Sequence, residues 1–253
     1  MAMVVGVAAI PVGLLMARIV ATWGVDPPAG TPGYVLSREE RFSPDAAEDY
    51  VAGTKRWIAA MRDREIGLSF AAFADADGNV EYNVPVARLA DVGAVLRAWA
   101  TAEGHLVGTD WGRVRQATLR WQKYSLWWQS PGLTYRPPSA SPSPMPYFVW
   151  KNLRLRPDLE PAFLENARRI RAHLDDEPLD RALGVFRNVT GPEGPLYTIV
   201  IPGKDPAELA AWQETLWKTR RTKLQAEVGG LLETIVEVTE GRGWDRPDLS
   251  LAR

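Results

Sequence analysis

The spacing of apolar and polar residues passes through the same series of patterns twice along this chain. Residues 34–42 and 147–155 predict strands, and each is followed by apolar positions at helical spacing. These positions are Ala47, Val51, Thr54, Ile58 and Met61 in the first stretch, and Phe163, Ala167, Ile170 and Leu174 in the second. The pattern predicts two amphipathic helices, each lying on a sheet.

Each predicted helix is followed by two β-rich runs around a glycine-containing turn, which favours a hairpin. The runs are 68–74 with 80–86, and 183–189 with 196–201. A second helical region then begins in each half, at 89–102 with a continuation at 110–117, and at 206–218 with a continuation at 222–232. Final strands are predicted at 118–128 and 233–239. The order βαββαβ, found twice, is that of the ferredoxin-like unit.

The two halves are related by an internal duplication. An offset of 113 residues places Pro44 on Pro157 and Phe73 on Phe186. A repeat of about a hundred residues has the size of a domain. The sequence therefore divides into a hydrophobic segment 1–25, a linker 26–33, a first repeat 34–137, a Pro/Ser-rich linker 138–146 and a second repeat 147–253.

A four-stranded sheet with helices on one face needs a cover for the other face, and a second similar sheet supplies it. We therefore predict an α+β fold in which the two antiparallel sheets pack as an intramolecular α+β barrel. The chain resembles the dimeric α+β barrel superfamily, which includes the NIPSNAP, EthD and antibiotic-biosynthesis monooxygenase-like families. The resemblance covers residues 34–250 and rests on the repeat, the element order and the closing motifs 133–137 and 246–250. These motifs resemble those of uncharacterised, often exported bacterial members, and no catalytic residue is carried over.

Composition narrows the chemistry. The chain has no Cys, only two His, and a net charge of −1. Disulfides, thiolate nucleophiles and cysteine-based metal sites are therefore excluded, and no global field favours nucleic acid. The basic run 218–223 lies in helical sequence and predicts a solvated helix face.

The first 25 residues contain a single charged side chain, Arg18. Their length and apolar character predict an export signal or a membrane anchor, and hence an exported or membrane-tethered protein. The alternative is a docked N-terminal segment on a cytoplasmic protein.

Aromatic side chains crowd the last strand of the first repeat. Alternation places Trp121 and Trp127 on one face and Tyr124 and Trp128, with Gln122, on the other. Such a set either packs a sheet–sheet core or lines a cleft between the sheets for an apolar small molecule. The matching stretch of the second repeat is aliphatic, so any such cleft is expected to be asymmetric.

Two further motifs bear on ligand chemistry. Asp75, Asp77 and Asn79 alternate like the start of a calcium loop, but the glycine comes too early, so we predict a hairpin turn and no metal site. The resemblance to haem-binding, tandem members of the chlorite-dismutase kind implies His173 as an axial ligand in a haem alternative. No cofactor is predicted otherwise.

Three hypotheses remain open from the sequence. The first is a binding or structural protein with an apolar small-molecule cleft between the sheets. The second is an enzyme with cofactor-independent oxygenase or isomerase chemistry on an apolar substrate, and the third is the haem protein. The expected partner is an apolar small molecule, and the expected state is a monomer or homodimer.

Overall fold

A computed structural model of the chain describes residues 33–75, 77–138, 145–190 and 194–251. The predicted segment 1–25 and most of both predicted linkers lie outside these ranges. The strands are β1 (Tyr34–Phe42), β2 (Ala71–Asp75), β3 (Asn79–Val86), β4 (Leu119–Gln129), β5 (Tyr147–Leu155), β6 (Gly184–Asn188), β7 (Leu196–Gly203) and β8 (Ile235–Asp245). The helices are α1 (Ala47–Asp63), α2 (Val92–Gly104), α3 (Asp110–Thr118), α4 (Glu160–Asp176) and α5 (Pro206–Leu232).

The predicted α+β class and intramolecular barrel are confirmed. The eight strands close in the order β1-β3-β2-β8-β5-β7-β6-β4, so each repeat contributes four strands to one barrel. The repeats join where β2 pairs with β8 and where β4 pairs with β6, both antiparallel. Closure leaves no free sheet edge among these strands.

The two faces of β1 have different surroundings. Leu36 belongs to the core between the first sheet and its helices, whereas Val35 belongs to a separate cluster with residues of the second repeat. Since side chains alternate along a strand, Arg38 and Glu40 share the helix side with Leu36, and Glu39 faces the barrel interior.

Large side chains fill the barrel interior where the two sheets meet. They are Val35, Phe73, Trp127, Phe148, Trp150, Phe186 and Val200. A Cβ atom at Gly241 would lie 2.3 Å from the Trp150 ring, so the indole covers this glycine directly. This contact explains why β8 runs to Asp245, beyond the predicted end at residue 239: the glycine makes room for a neighbouring ring and remains in the strand.

The second helical regions differ between the repeats more than the sequence predicts. In the first repeat a loop separates α2 from α3, whereas α5 runs unbroken through the predicted junction near residue 219. The Thr219 hydroxyl donates to the Thr215 carbonyl, so its side chain bonds within the helix and does not cap a new one. In the described ranges, no helix combines the length and apolar character that a membrane span requires.

The connection between β2 and β3 is the hairpin turn that we predict. Asp75 Oδ1 accepts hydrogen bonds from the backbone N–H groups of Asp77 and Asn79, at 2.9 and 2.8 Å. Gly78 has a φ of 84°, which glycine adopts without strain.

Candidate functional site

Strand β1 carries four consecutive charged residues, 38–41, although β3 and β4 flank it on both sides. Arg38 and Glu40 are fully buried on the helix side of the sheet. Charges in such a position need partners that replace water.

Glu40 is the centre of a buried polar cluster. It accepts hydrogen bonds from Tyr50 Oη at 2.6 Å and from Arg115 Nη2, and it forms an ion pair with Arg38 Nη2. Tyr50 Oη is also 2.8 Å from Tyr82 Oη. Residues of β1, α1, β3 and α3 are therefore joined through one carboxylate.

Aromatic rings enclose the two guanidinium groups. Arg38 Cζ lies 4.9 Å from the Trp99 ring centroid and 5.5 Å from that of Trp57, and Arg115 Cζ lies 4.9 Å from the Trp57 ring. Nε and Nη1 of Arg38 are buried without a hydrogen-bond partner in the described part of the chain. The faces of the Trp57 and Trp99 rings stabilise the Arg38 guanidinium group through cation–π contact, in place of these hydrogen bonds.

The cluster fixes the charge states of its members. Burial opposes ionisation of Glu40, but Arg115 and Arg38 hold the pKa of its carboxyl below the ordinary value. Burial is the largest cause, and the charge of Glu40 the second largest, of a raised pKa in two tyrosines. The pKa of Tyr82 is raised to about 12 and that of Tyr50 well above 10. At neutral pH the cluster therefore contains an ionised carboxylate and two neutral phenols.

A pocket of about 290 Å³ opens beside this cluster, between α2, α3 and β4. Leu106, Val107 and Leu119 form its apolar wall, and Glu103, Arg115 and Gln122 are among its polar groups. The volume is at the lower end of the range for ligand pockets, which begins at about 300 Å³.

Arg38 connects the cluster to the pocket. Its Nη2 donates to Glu103 Oε1 and, at 2.9 Å, to Gln122 Oε1. Arg115 Nη1 lies 3.9 Å from Glu103 Oε1. One buried cation thus positions two pocket side chains that come from different elements, α2 and β4.

The loop between α2 and α3 shapes the rim of the pocket. Thr109 caps α3 by accepting a hydrogen bond from Gly112 N, and its hydroxyl donates to the Leu106 carbonyl. A Cβ atom at Gly112 would lie 2.2 Å from that carbonyl oxygen. The close approach requires glycine, and it brings Arg115, one helical turn further on, towards β1.

The second repeat has no such cluster at the equivalent positions. The offset of 113 residues places Lys151, Leu153 and Phe163 where the first repeat has Arg38, Glu40 and Tyr50. Leu153 and Phe163 pack in an apolar core, and Lys151 forms a half-exposed ion pair with Glu240. The same scaffold therefore folds without the buried charges, so the fold alone does not account for them.

The structure does not bring the four predicted aromatic residues together. Trp127 lies in the barrel interior, and Trp121, on the same face, is 39% exposed. Tyr124 is half-buried on the helix side, its ring 5.7 Å from Arg38 Cζ, and Trp128 shares that face. Of the four predicted aromatic residues, only Tyr124 lies next to the buried polar cluster. Gln122, on the same face of β4 as Tyr124, lines the pocket.

His173 lies in the last turn of α4, and its side chain faces α5. Its Nε2 is 3.6 Å from Glu227 Oε1, and its side chain is 43% exposed. The imidazole therefore faces a carboxylate in a helix–helix contact, away from the pocket described above. The axial-ligand role that the haem alternative gives to His173 stays a prediction.

Sequence reasoning missed Arg38, Glu40, Glu103 and Arg115. A signal was present in β1, where residues 38–41 place four charges inside a strand that the fold must cover on both faces. The positions of Glu103 and Arg115 depend on the α2–α3 loop, which no sequence period reveals.

The closed barrel of two βαββαβ units is the fold of the dimeric α+β barrel superfamily, formed here within one chain. The chain is similar to the crystal structure of an anthrone oxidase-like protein, with 13% identity and a TM-score of 0.55 over 85% of this chain and 92% of that one. A proposed monooxygenase of Lactobacillus acidophilus NCFM gives 10% identity and a TM-score of 0.51 over 85% and 94%.

A variant of the chlorite dismutase of Candidatus Nitrospira defluvii, in complex with cyanide, gives 10% identity and a TM-score of 0.51 over 86% and 92%. No family model matches the sequence. No curated protein matches it either. At these identities the similarity concerns the fold.

Proposed function

We propose that the protein is a cofactor-independent oxygenase or isomerase that acts on a small, largely apolar molecule in the pocket of the first repeat. The observation that carries this proposal is the buried Arg38–Glu40–Arg115 cluster behind the pocket. The second repeat has the apolar Leu153 in place of Glu40 and the half-exposed Lys151 in place of Arg38. Buried ion pairs are expensive to desolvate, and ligand chemistry is a reason to retain them.

Oxygenation and isomerisation of this kind share one step, the removal of a proton next to a carbonyl group. The C–H bond breaks, the proton passes to a base, and the electron pair remains on the substrate as an enolate. The Glu103 carboxylate is the base that the pocket offers, and Arg115 and Gln122 are polar groups that would stabilise the oxyanion. In the oxygenase case, dioxygen is the second substrate.

The experiment follows oxygen uptake and substrate absorbance for the purified full chain with anthrone and smaller enolisable aromatic ketones, without added cofactor. The fold similarity to an anthrone oxidase-like protein motivates the first substrate. We expect turnover that Glu103→Gln reduces by about 100-fold or more. Glu214→Gln, on the exposed surface of α5, is the matched control and is expected to leave turnover unchanged.

The outcome separates the two main hypotheses. Binding of these ketones at the pocket without oxygen uptake or isomerisation would return the protein to the class of binding proteins. Turnover that persists in Glu103→Gln would contradict the assigned base.

A further inference from the structure

Glu103 and Gln122, on α2 and β4, each present an unused hydrogen-bonding group to the pocket. Arg38 Nη2 donates hydrogen bonds to Oε1 of Glu103 and to Oε1 of Gln122. Within the described ranges, Glu103 Oε2 is left to accept a hydrogen bond, and the Gln122 amide nitrogen is left to donate one.

The two groups are held close together. Their Oε1 atoms contact the same nitrogen, so they lie within two hydrogen-bond lengths of each other. Arg38 itself is immobile, because it is fully buried, paired with Glu40 and enclosed by the Trp57 and Trp99 rings. The acceptor and the donor therefore keep a fixed relative position, as a recognition pair requires.

We propose that Glu103 and Gln122 form this recognition pair and that the ligand carries a hydroxyl group and a carbonyl oxygen on one edge of a small apolar frame. The hydroxyl donates to one lone pair of Glu103 Oε2, the second lone pair remains for the C–H proton, and the carbonyl accepts from Gln122. Leu106, Val107 and Leu119 contact the frame. Arg38 is a positioning residue that does not touch the ligand. This inference rests on the proposed function and names its substrate class.

The test uses three probes of similar size: 3′-hydroxyacetophenone, its methyl ether 3′-methoxyacetophenone, and 3-ethylphenol. The ether lacks the donor, and the phenol lacks the carbonyl. Dissociation constants are measured by NMR titration of the full chain. We expect the ether and the phenol each to bind about tenfold more weakly than the hydroxy ketone, since each leaves one pocket group unpaired.

Two variants assign each loss to its residue. Glu103→Gln keeps the shape and is expected to remove the preference for the hydroxy ketone over the ether. Gln122→Met, at an exposed position, removes the amide and is expected to remove the preference for the hydroxy ketone over 3-ethylphenol. Neither change should affect the other preference.

The possible failures are distinguishable. Equal binding of all three probes at the pocket, or unchanged preferences in both variants, would overturn the recognition pair but leave a small-molecule pocket. If no probe binds, both the recognition pair and the proposed function are overturned for this substrate class.

Discussion

At the scale of single residues, the first repeat differs from the second in having a buried carboxylate held between two guanidinium groups. Glu40 forms ion pairs with both Arg38 and Arg115, and both Tyr50 and Arg115 donate hydrogen bonds to it. Removing one partner of such a group leaves an uncompensated buried charge, whereas replacing the whole group with apolar side chains need not destabilise a fold. The second repeat, with Leu153 at the equivalent position, is an internal example.

The first prediction compares breaking the cluster with replacing it. Glu40→Gln is expected to lower the free energy of unfolding by about 3–5 kcal/mol, because two buried cations then keep only the partly exposed Glu103 as a counter-charge. The triple variant Arg38→Met, Glu40→Leu and Arg115→Met is expected to stay within about 2 kcal/mol of the wild-type value while losing probe binding. Urea unfolding and NMR titration measure the two effects. A triple variant less stable than Glu40→Gln would show that the cluster serves stability.

A second prediction concerns Glu39, which faces the barrel interior directly opposite Glu81. Burial and then the charge of Glu81 raise the pKa of Glu39 from 4.5 to about 9. Between these values the folded state holds a proton that the unfolded chain releases, so this group's contribution to stability falls as pH rises. The slope is at most about 1.4 kcal/mol per pH unit.

Glu39→Gln removes this titration. We expect the stability of the variant to rise relative to wild type between about pH 5 and pH 8.5, measured by urea unfolding at several pH values. Glu214→Gln, which alters only an exposed carboxylate, should run parallel to wild type. Parallel curves for Glu39→Gln would mean that Glu39 is ionised in the folded protein.

At the scale of elements, the pocket depends on how α2 and α3 are joined. Gly112 lies against the Leu106 carbonyl, and the Thr109 cap holds α3 at this angle. The α5 helix of the second repeat has no such break and does not turn back in this way. The site is therefore a consequence of one loop.

The third prediction tests that loop. Gly112→Ala is expected to lower the free energy of unfolding by about 1–3 kcal/mol and to weaken probe binding, because the new methyl group must displace backbone. Gly229→Ala is the control in α5, away from the pocket, where an added Cβ atom would meet nothing within 4 Å; it should leave probe binding unchanged and not lower the free energy of unfolding. Urea unfolding and NMR titration check both variants. Equal effects of the two substitutions would contradict the close-packing argument.

Much of the element order could be predicted from the sequence, because each repeat has clear periods and glycine turns. Strand β1 begins and ends where its alternation predicts, at Tyr34 and Phe42. The prediction ended β8 at residue 239, whereas the strand runs to Asp245 with the Trp150 ring packed against Gly241. Long-range contacts of this kind are invisible to local pattern.

At the scale of the whole molecule, the duplication provides the scaffold and the divergence provides the site. The sequence predicts asymmetry from the aromatic residues of β4, of which Trp127 packs the barrel interior. The structure locates an asymmetry of a different kind, in the charges of β1 and α3. The charged groups belong to residues 38, 40 and 115, and only the closed fold brings these groups close together.

The central claim is that the pocket of the first repeat, and not the second repeat, is where a small molecule binds. Hydrogen–deuterium exchange of the full chain with saturating 3′-hydroxyacetophenone tests it most directly. We predict slower exchange in residues 103–122, which contain the rim and wall of the pocket, and unchanged exchange in residues 206–232 of α5. Protection confined to the second repeat, or protection in neither repeat, would contradict the account.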